Sequence, residues 1–409
     1  MKRYERYKLS RVEWVEQIPL HWEVKRLKYC FTLITEKSDL NLPKVGLENI
    51  GSNTGRFIET SSIFEGEGID FEANDILFGK LRPYLAKVYL SEFDGKAIGD
   101  FYILRCNKNI NPKFGQKLLI SKNFINIVND STHGSKMPRV SWDFMGNLHI
   151  PIPEQYEQEI IANYLDKKTV ELEELIADKL NLISLLEQKK ELTISNAVTK
   201  GLNPNVPTKD SKVKWIGEIP KHWEVKKIKY IFTSFDYKRV PLSADERGKM
   251  SQRIYDYYGA SGIIDKVESY IFDGDYLLIG EDGANLLDRN SDLVFKASGK
   301  FWVNNHAHIL QPIKNDIDFY IYYLENLDFT MWISGSAQPK LTADALNNIH
   351  VAVPPIIEQQ QIVKFLDKKI AETNEAVQII KDEIELLKEY KETLIYEVIT
   401  GKIDVRAEL

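Results

Sequence analysis

The sequence predicts an α+β protein: two similar mixed α/β domains joined by two long helices that form an antiparallel coiled coil, with pseudo-two-fold symmetry. Three observations predict it. A 15-residue segment recurs 201 positions further on, two proline-bounded segments carry an apolar period of seven, and the regions between them set short apolar runs among Gly, Asn and Asp turns.

Ile18-Pro-Leu-His-Trp-Glu-Val-Lys-Arg-Leu-Lys-Tyr-Cys-Phe-Thr32 returns as Ile219-Pro-Lys-His-Trp-Glu-Val-Lys-Lys-Ile-Lys-Tyr-Ile-Phe-Thr233, with 11 of 15 positions identical. The same offset of 201 carries Trp14 onto Trp215, Gly134-Ser135 onto Gly335-Ser336, Pro138 onto Pro339 and Leu165-Asp-Lys-Lys168 onto Leu366-Asp-Lys-Lys369. A repeat of that length is a duplicated domain with its connector, far longer than a solenoid unit. It divides the chain into a first domain (1–153), a first helix (154–201), a second domain (202–353) and a second helix with the C-terminal tail (354–409).

Within the domains, Asp75-Ile-Leu-Phe78, Phe101-Tyr-Ile-Leu104, Asp275-Tyr-Leu-Leu-Ile279 and His308-Ile-Leu310 read as strands. The edges of the repeat are alike, whereas the middles, 33–130 and 234–331, share little beyond pattern. A common scaffold with different middles suggests two related but distinct recognition surfaces.

Each helix starts after prolines, Ile150-Pro-Ile-Pro153 or Val353-Pro-Pro355, and stops at Gly201 or Gly401. Alternate steps of four and three from Leu366 reach Ile370, Thr373, Val377, Ile380, Ile384, Leu387, Lys391, Leu394 and Val398, eight of the ten positions being apolar. The matching steps from Leu165 pass through Leu172, Ile176, Ile183 and Leu186 but also meet Lys179 and Lys190. Those lysines either loosen the seam or reach partner acids while their stems cover apolar surface. One apolar stripe per helix calls for a partner, and equivalent faces meeting across a local two-fold make the pair antiparallel. At 1.5 Å per residue the seam is roughly 50 Å long.

With 409 residues, 43% hydrophobic and 28% charged, the chain has room for two cored domains. Two cysteines, Cys30 and Cys106, give no disulfide framework and suit a reducing cytoplasm. No run approaches a membrane span, and the charged start lacks the apolar stretch of a signal peptide. The net charge of −6 is concentrated in the helices: residues 154–191 carry −5 and 358–392 carry −3, which leaves +2 elsewhere. Basic patches on the domains are therefore allowed.

The duplicated Pro-x-His-Trp-Glu-Val-Lys segments, Gly134-Ser-Lys-Met-Pro-Arg139 with Gly335-Ser-Ala-Gln-Pro-Lys340, and Glu157-Gln158 with Glu358-Gln359 resemble the specificity subunits of type I restriction–modification systems. Asp75-Ile-Leu-Phe-Gly-Lys-Leu-Arg-Pro-Tyr84 and Asn305-His-Ala-His-Ile-Leu310 are also of the kind found in that family's recognition domains. The resemblance implies a non-catalytic subunit whose two target recognition domains each read half of a split site in double-stranded DNA. It implies paired helices that fix the gap and dock two methyltransferase subunits, with motor–nuclease subunits completing the assembly. It also implies no cofactor on this chain, S-adenosylmethionine belonging to the methyltransferase. Unlike middles then imply an asymmetric target, whose half-sites lie about one helical turn, roughly 34–36 Å, apart.

Candidate contacts follow from side-chain chemistry. Lys80, Arg82 and Tyr84 offer two cations and a ring to phosphates or base edges, though a solvated turn would look the same. Ser135, Lys136 and Arg139, and their counterparts Ser336, Gln338 and Lys340, suit phosphate contact, or else a structural loop. Where the first domain has Lys-x-Arg, the second has Gly280-Glu-Asp-Gly-Ala-Asn285; Asn285 could pair with adenine and the acids could accept from cytosine, although a turn with solvated carboxylates is the simpler reading. Most aromatics read as core packing; Tyr257, with Tyr255 and Tyr258, is the one cluster to test as a stacking surface. His306 and His308 have metal-binding spacing without an evident third ligand, so no metal is assigned. His21 and His222, beside tryptophans in both copies, read as structural.

No Walker A sequence, G-x-G-x-x-G, Asn/Asp-Pro-Pro-aromatic or zinc-type spacing occurs. Two rival functions remain: an enzyme with an unrecognised site, which would modify or cut DNA unaided, and a coiled-coil adaptor, which would show no sequence-selective DNA contact.

Overall fold

The computed structural model describes residues 2–62, 64–132, 136–335 and 338–408. The chain forms two compact units, Met1–Leu180 with Lys381–Leu409, and Asn181–Ile380. Each long helix, Gln155–Lys200 and Ile356–Ile399, gives one half to each unit.

The units repeat one topology. In the first, a four-stranded antiparallel sheet runs Phe31–Ile34, Phe101–Cys106, Ile76–Gly79, Val88–Leu90. In the second, the order is Phe232–Ser234, Ala307–Pro312, Tyr276–Gly280, Val294–Ala297, again antiparallel. The central strands are buried on both faces, which is why they read as continuous apolar runs. The repeated opening segments pair with the strands leading into the long helices: Glu23–Arg26 with His149–Ile152, and Glu224–Lys227 with His350–Val353.

The middles diverge in a second small sheet. In the first unit Gly95–Ala97 lies between Lys44–Val45 and Ile69–Phe71. The second unit has the corresponding trio, Lys300–Val303 between Tyr255–Gly259 and Phe272–Asp273, and adds Gly262–Val267 as an outer strand.

All thirteen apolar residues expected in the helix seam are sheltered. Leu165, Leu366, Val377, Ile380, Ile384, Leu394 and Val398 are buried, and Leu172, Ile176, Ile183, Leu186, Ile370 and Leu387 are partly so. Within the first unit Glu173 meets Lys391 at 3.1 Å and Lys179 meets Glu383 at 2.7 Å. Numbers rising on one helix meet numbers falling on the other, so the halves are antiparallel. In the second unit Lys190 reaches Asn374 at 3.4 Å. Both seam lysines therefore extend to polar partners.

Two repeated residues fasten each domain to its helix. Glu157 accepts from the Tyr4 hydroxyl at 2.5 Å, from the Trp22 indole at 3.1 Å and pairs with His21 at 2.8 Å. Glu358 holds Trp223 at 3.0 Å and His222 at 2.7 Å. The next residues, Gln158 and Gln359, accept from the backbone N–H of Asn111 and Asp316, the residues that cap the helices Pro112–Ile120 and Ile317–Glu325. Gly401, with φ +72°, ends the second helix so close to Trp22 and Pro19 that a Cβ there would lie 2.4 Å from the Pro19 ring. One tryptophan thus touches the start of one helix and the end of the other, which accounts for the repeated His-Trp.

Candidate nucleic-acid interface

At the end of Ile76–Gly79 the chain turns through Lys80-Leu-Arg82 and pairs with the segment that precedes the last strand. Leu81 bridges Arg139, Arg82 donates its N–H to the Pro138 carbonyl at 2.8 Å, and Val140 donates to Lys80 at 3.2 Å. The second unit builds the same joint 201 residues on: Asp282 bridges Lys340, Gly283 donates to Pro339 at 3.2 Å, and Leu341 donates to Glu281 at 2.8 Å. Two stretches that looked unrelated in sequence, the loop after the strand and the Pro138-Arg139 or Pro339-Lys340 end of the later segment, are joined in each unit.

The two joints carry different side chains. In the first, the Arg139 guanidinium grips Asp100 through two hydrogen bonds, at 3.1 and 2.9 Å. Lys80 lies 3.9 Å from the same carboxylate and 5.4 Å from the centre of the Tyr102 ring. Arg82 and Tyr84 are exposed and have no side-chain partner among the described residues. Lys136 is exposed as well.

In the second joint Lys340, at the position of Arg139, pairs with Glu281 at 3.0 Å, and Glu281 also receives Arg239. His306 Nδ1 lies 2.8 and 2.9 Å from the two oxygens of Asp282. His308 is fully buried, its ring nitrogens 2.6 Å from Asp236 and 2.7 Å from the Leu341 carbonyl. Burial alone would raise the Asp236 carboxyl, but His308, the Ile309 N–H and Arg239 outweigh it and hold it below its usual value. Glu281 is likewise lowered, its burial outweighed by Arg239, Lys340 and His308. The two histidines are therefore each committed to a carboxylate, and no cluster of three metal-ligating side chains occurs among the described residues.

Two expected contacts are corrected. Tyr257 is only 1% exposed; its hydroxyl accepts the Leu242 N–H and the Arg247 guanidinium lies 4.8 Å from its ring centre, so it packs the sheet instead of offering a stacking face. The Asn285 amide is spent on Ser291, accepting from its N–H and donating to its carbonyl, both at 3.0 Å, which leaves no edge for adenine. Gln338 and Lys340 are exposed at the joint. Ser135 and Ser336 lie outside the described residues. Sequence reasoning missed Asp100, Asp236 and Arg239, which come from other strands and turns and carry no local spacing that would tie them to the joint.

The family model for the type I restriction modification DNA specificity domain matches residues 19–183 and again 220–386. Among curated proteins, a putative type I restriction enzyme specificity subunit of Haemophilus influenzae is 41% identical over 120 residues, 29% of this chain and 31% of that one. The MjaVIII specificity subunit of Methanocaldococcus jannaschii is 25% identical over 82% of this chain and 77% of its own length. Among solved structures, a chain from work on complex assembly and conformational transition of the type I R-M system has a TM-score of 0.75 at 18% identity, covering 94% of this chain and 99% of that one. The HsdS subunit from Thermoanaerobacter tengcongensis has a TM-score of 0.62 at 17% identity, covering 94% of this chain and 98% of its own. A family model that matches twice, across most of the chain and once per repeat, places this protein among the type I restriction–modification specificity subunits, with two tandem DNA specificity domains.

Proposed function

We propose that the two units each read one half of an asymmetric, bipartite site in double-stranded DNA, and that the helix pair sets the gap between the halves. The observation that carries this reading is the repeated joint. The same backbone pairing recurs at an offset of 201, with a guanidinium–carboxylate pair, Arg139 on Asp100, and the exposed Arg82 at one copy, and imidazole–carboxylate and ammonium–carboxylate pairs, His306 on Asp282 and Lys340 on Glu281, at the other. One scaffold with two chemistries suits two different half-sites.

The chain does no chemistry on DNA in this proposal. Two methyltransferase subunits, bringing S-adenosylmethionine, dock on the helices, and motor–nuclease subunits join them, in the cytoplasm. Apolar side chains left exposed outside the seam support such docking: Leu175, Leu386 and Tyr390 in the first unit, and Leu182, Leu185, Leu192 and Ile379 in the second.

A long-read methylome of cells carrying the partner methyltransferase, with and without this gene, tests the proposal. The expected result is one split, asymmetric N6-methyladenine motif that disappears with the gene. An unchanged methylome with the partner expressed overturns it in favour of a protein-only adaptor.

A further inference from the structure

The two joints differ at one backbone position in a way the fold does not require. Arg82 has φ +50° and ψ +63°, a left-handed conformation that disfavours residues with a Cβ. Gly283, at the same place in the second unit, has φ +99°. Glycine is what such a turn asks for. A Cβ built on Gly283 would meet nothing within 4 Å, so a side chain at this position projects into open space. The first unit nevertheless carries an arginine there.

The backbone around Arg82 is fixed. Its N–H bonds to Pro138, its carbonyl accepts from Leu85 at 2.9 Å, and Pro83 follows it, buried. Its cationic neighbours are already engaged, Arg139 by both oxygens of Asp100 and Lys80 beside the same carboxylate. Arg82 alone of the three has no partner among the described residues. A free guanidinium on a rigid turn presents two parallel donors, which match the N7 and O6 acceptors of guanine in the major groove. The same fork also suits a phosphate; a root held in one place by the turn favours a base edge, since base contacts carry the sequence information.

We propose that Arg82 is a specificity-determining residue: it reads a guanine in the half-site bound by the first unit, and the second unit, with Gly283, has no arginine-read guanine at the equivalent place. The assignment rests on the DNA-reading role proposed above.

The test measures methylation by the complex of this chain with its methyltransferase, on duplexes carrying the wild-type site or single-base variants of it. Arg82→Gly and Arg82→Lys are both expected to lower discrimination at one guanine by roughly 10- to 100-fold, and to leave the other half-site as strict as before. Arg82→Gly installs the residue the equivalent turn already holds, so its melting temperature should not fall. If it does fall, Arg82→Lys, which keeps the wild-type backbone demand, decides alone.

A half-site without guanine, or unchanged discrimination, overturns the assignment. So does an equal loss on every duplex with a shallower salt dependence, which marks a phosphate contact. A wild-type complex that methylates no motif dependent on this chain sinks the DNA-reading role, and the assignment with it; that failure is visible before any variant is made.

Discussion

The carboxylates of Glu157 and Glu358 lie in the first turns of their helices, where unpaired N–H groups favour negative charge. Glu157 is the more buried, and it satisfies three donors from the opening segment. Glu157→Ala would strand the Trp22 indole and the Tyr4 hydroxyl, so it should cost about 2–4 kcal/mol. Glu358→Ala should cost about 1 kcal/mol less, since among the described residues two donors meet that side chain and it is more exposed; chemical denaturation of both variants checks the order. Asp236 and Glu281 give a pH dependence. Both titrate lower in the folded chain than in the unfolded one, so their ionised forms stabilise the fold above the ordinary carboxylate range, about pH 4. That contribution is lost as pH falls through the lowered folded values. Thermal melting between neutral pH and about pH 2 should show a steep acid loss in the wild type, and Asp236→Asn should flatten it while melting lower at neutral pH. At this scale the sequence was partly readable. Lys80, Arg82 and Lys340 stand out as cations next to turns, and the structure places them at the joint, whereas the burial of Tyr257 and the backbone clamp on Asn285 leave no mark in local sequence. Asp100 was invisible for the same reason: its importance comes from the Arg139 that the sheet brings to it.

The helices were the most legible elements, because a seven-residue period, flanking prolines and terminal glycines are local signals. Their seam ladder also supports a ruler. If the antiparallel pair sets the distance between half-sites, deleting one heptad from each helix, residues 176–182 together with 377–383, keeps the seam in register and removes about 10 Å of helix. The methylated motif should then lose up to about three base pairs of gap, at 3.4 Å each, with both half-sites unchanged. A motif whose half-sites change while the gap stays constant would refute the ruler. The strands were legible as short apolar runs, but their order was not. Nothing in the sequence of Phe101–Cys106 says that it lies between Phe31–Ile34 and Ile76–Gly79, since pairing partners depend on the closure of loops tens of residues long.

At the scale of the whole molecule, duplication separates what must be kept from what can vary. The repeated residues build the framework: Trp22 and Trp223 with their glutamates, Gln158 and Gln359 on the capping residues, and the seam. The unrepeated residues build the joint chemistry and the extra outer strand Gly262–Val267. Because 234–331 begins and ends inside the repeated framework, exchanging it for the corresponding stretch of another family member replaces a reading surface and leaves Trp223 on Glu358, provided that the residues bonding the helices, Asp316 to Gln359, Tyr322 to Asp367 and Asn326 to Ser195, are kept. Such a chimera should keep one half-site and the gap of the native motif and acquire a new second half-site, read directly from its methylome. Change in both halves would mean that the middles are coupled through the framework. The expected independence follows from where the charges end: Lys340, Glu281, Arg239 and Asp236 close their pairs within the second unit, as Arg139, Lys80 and Asp100 do within the first.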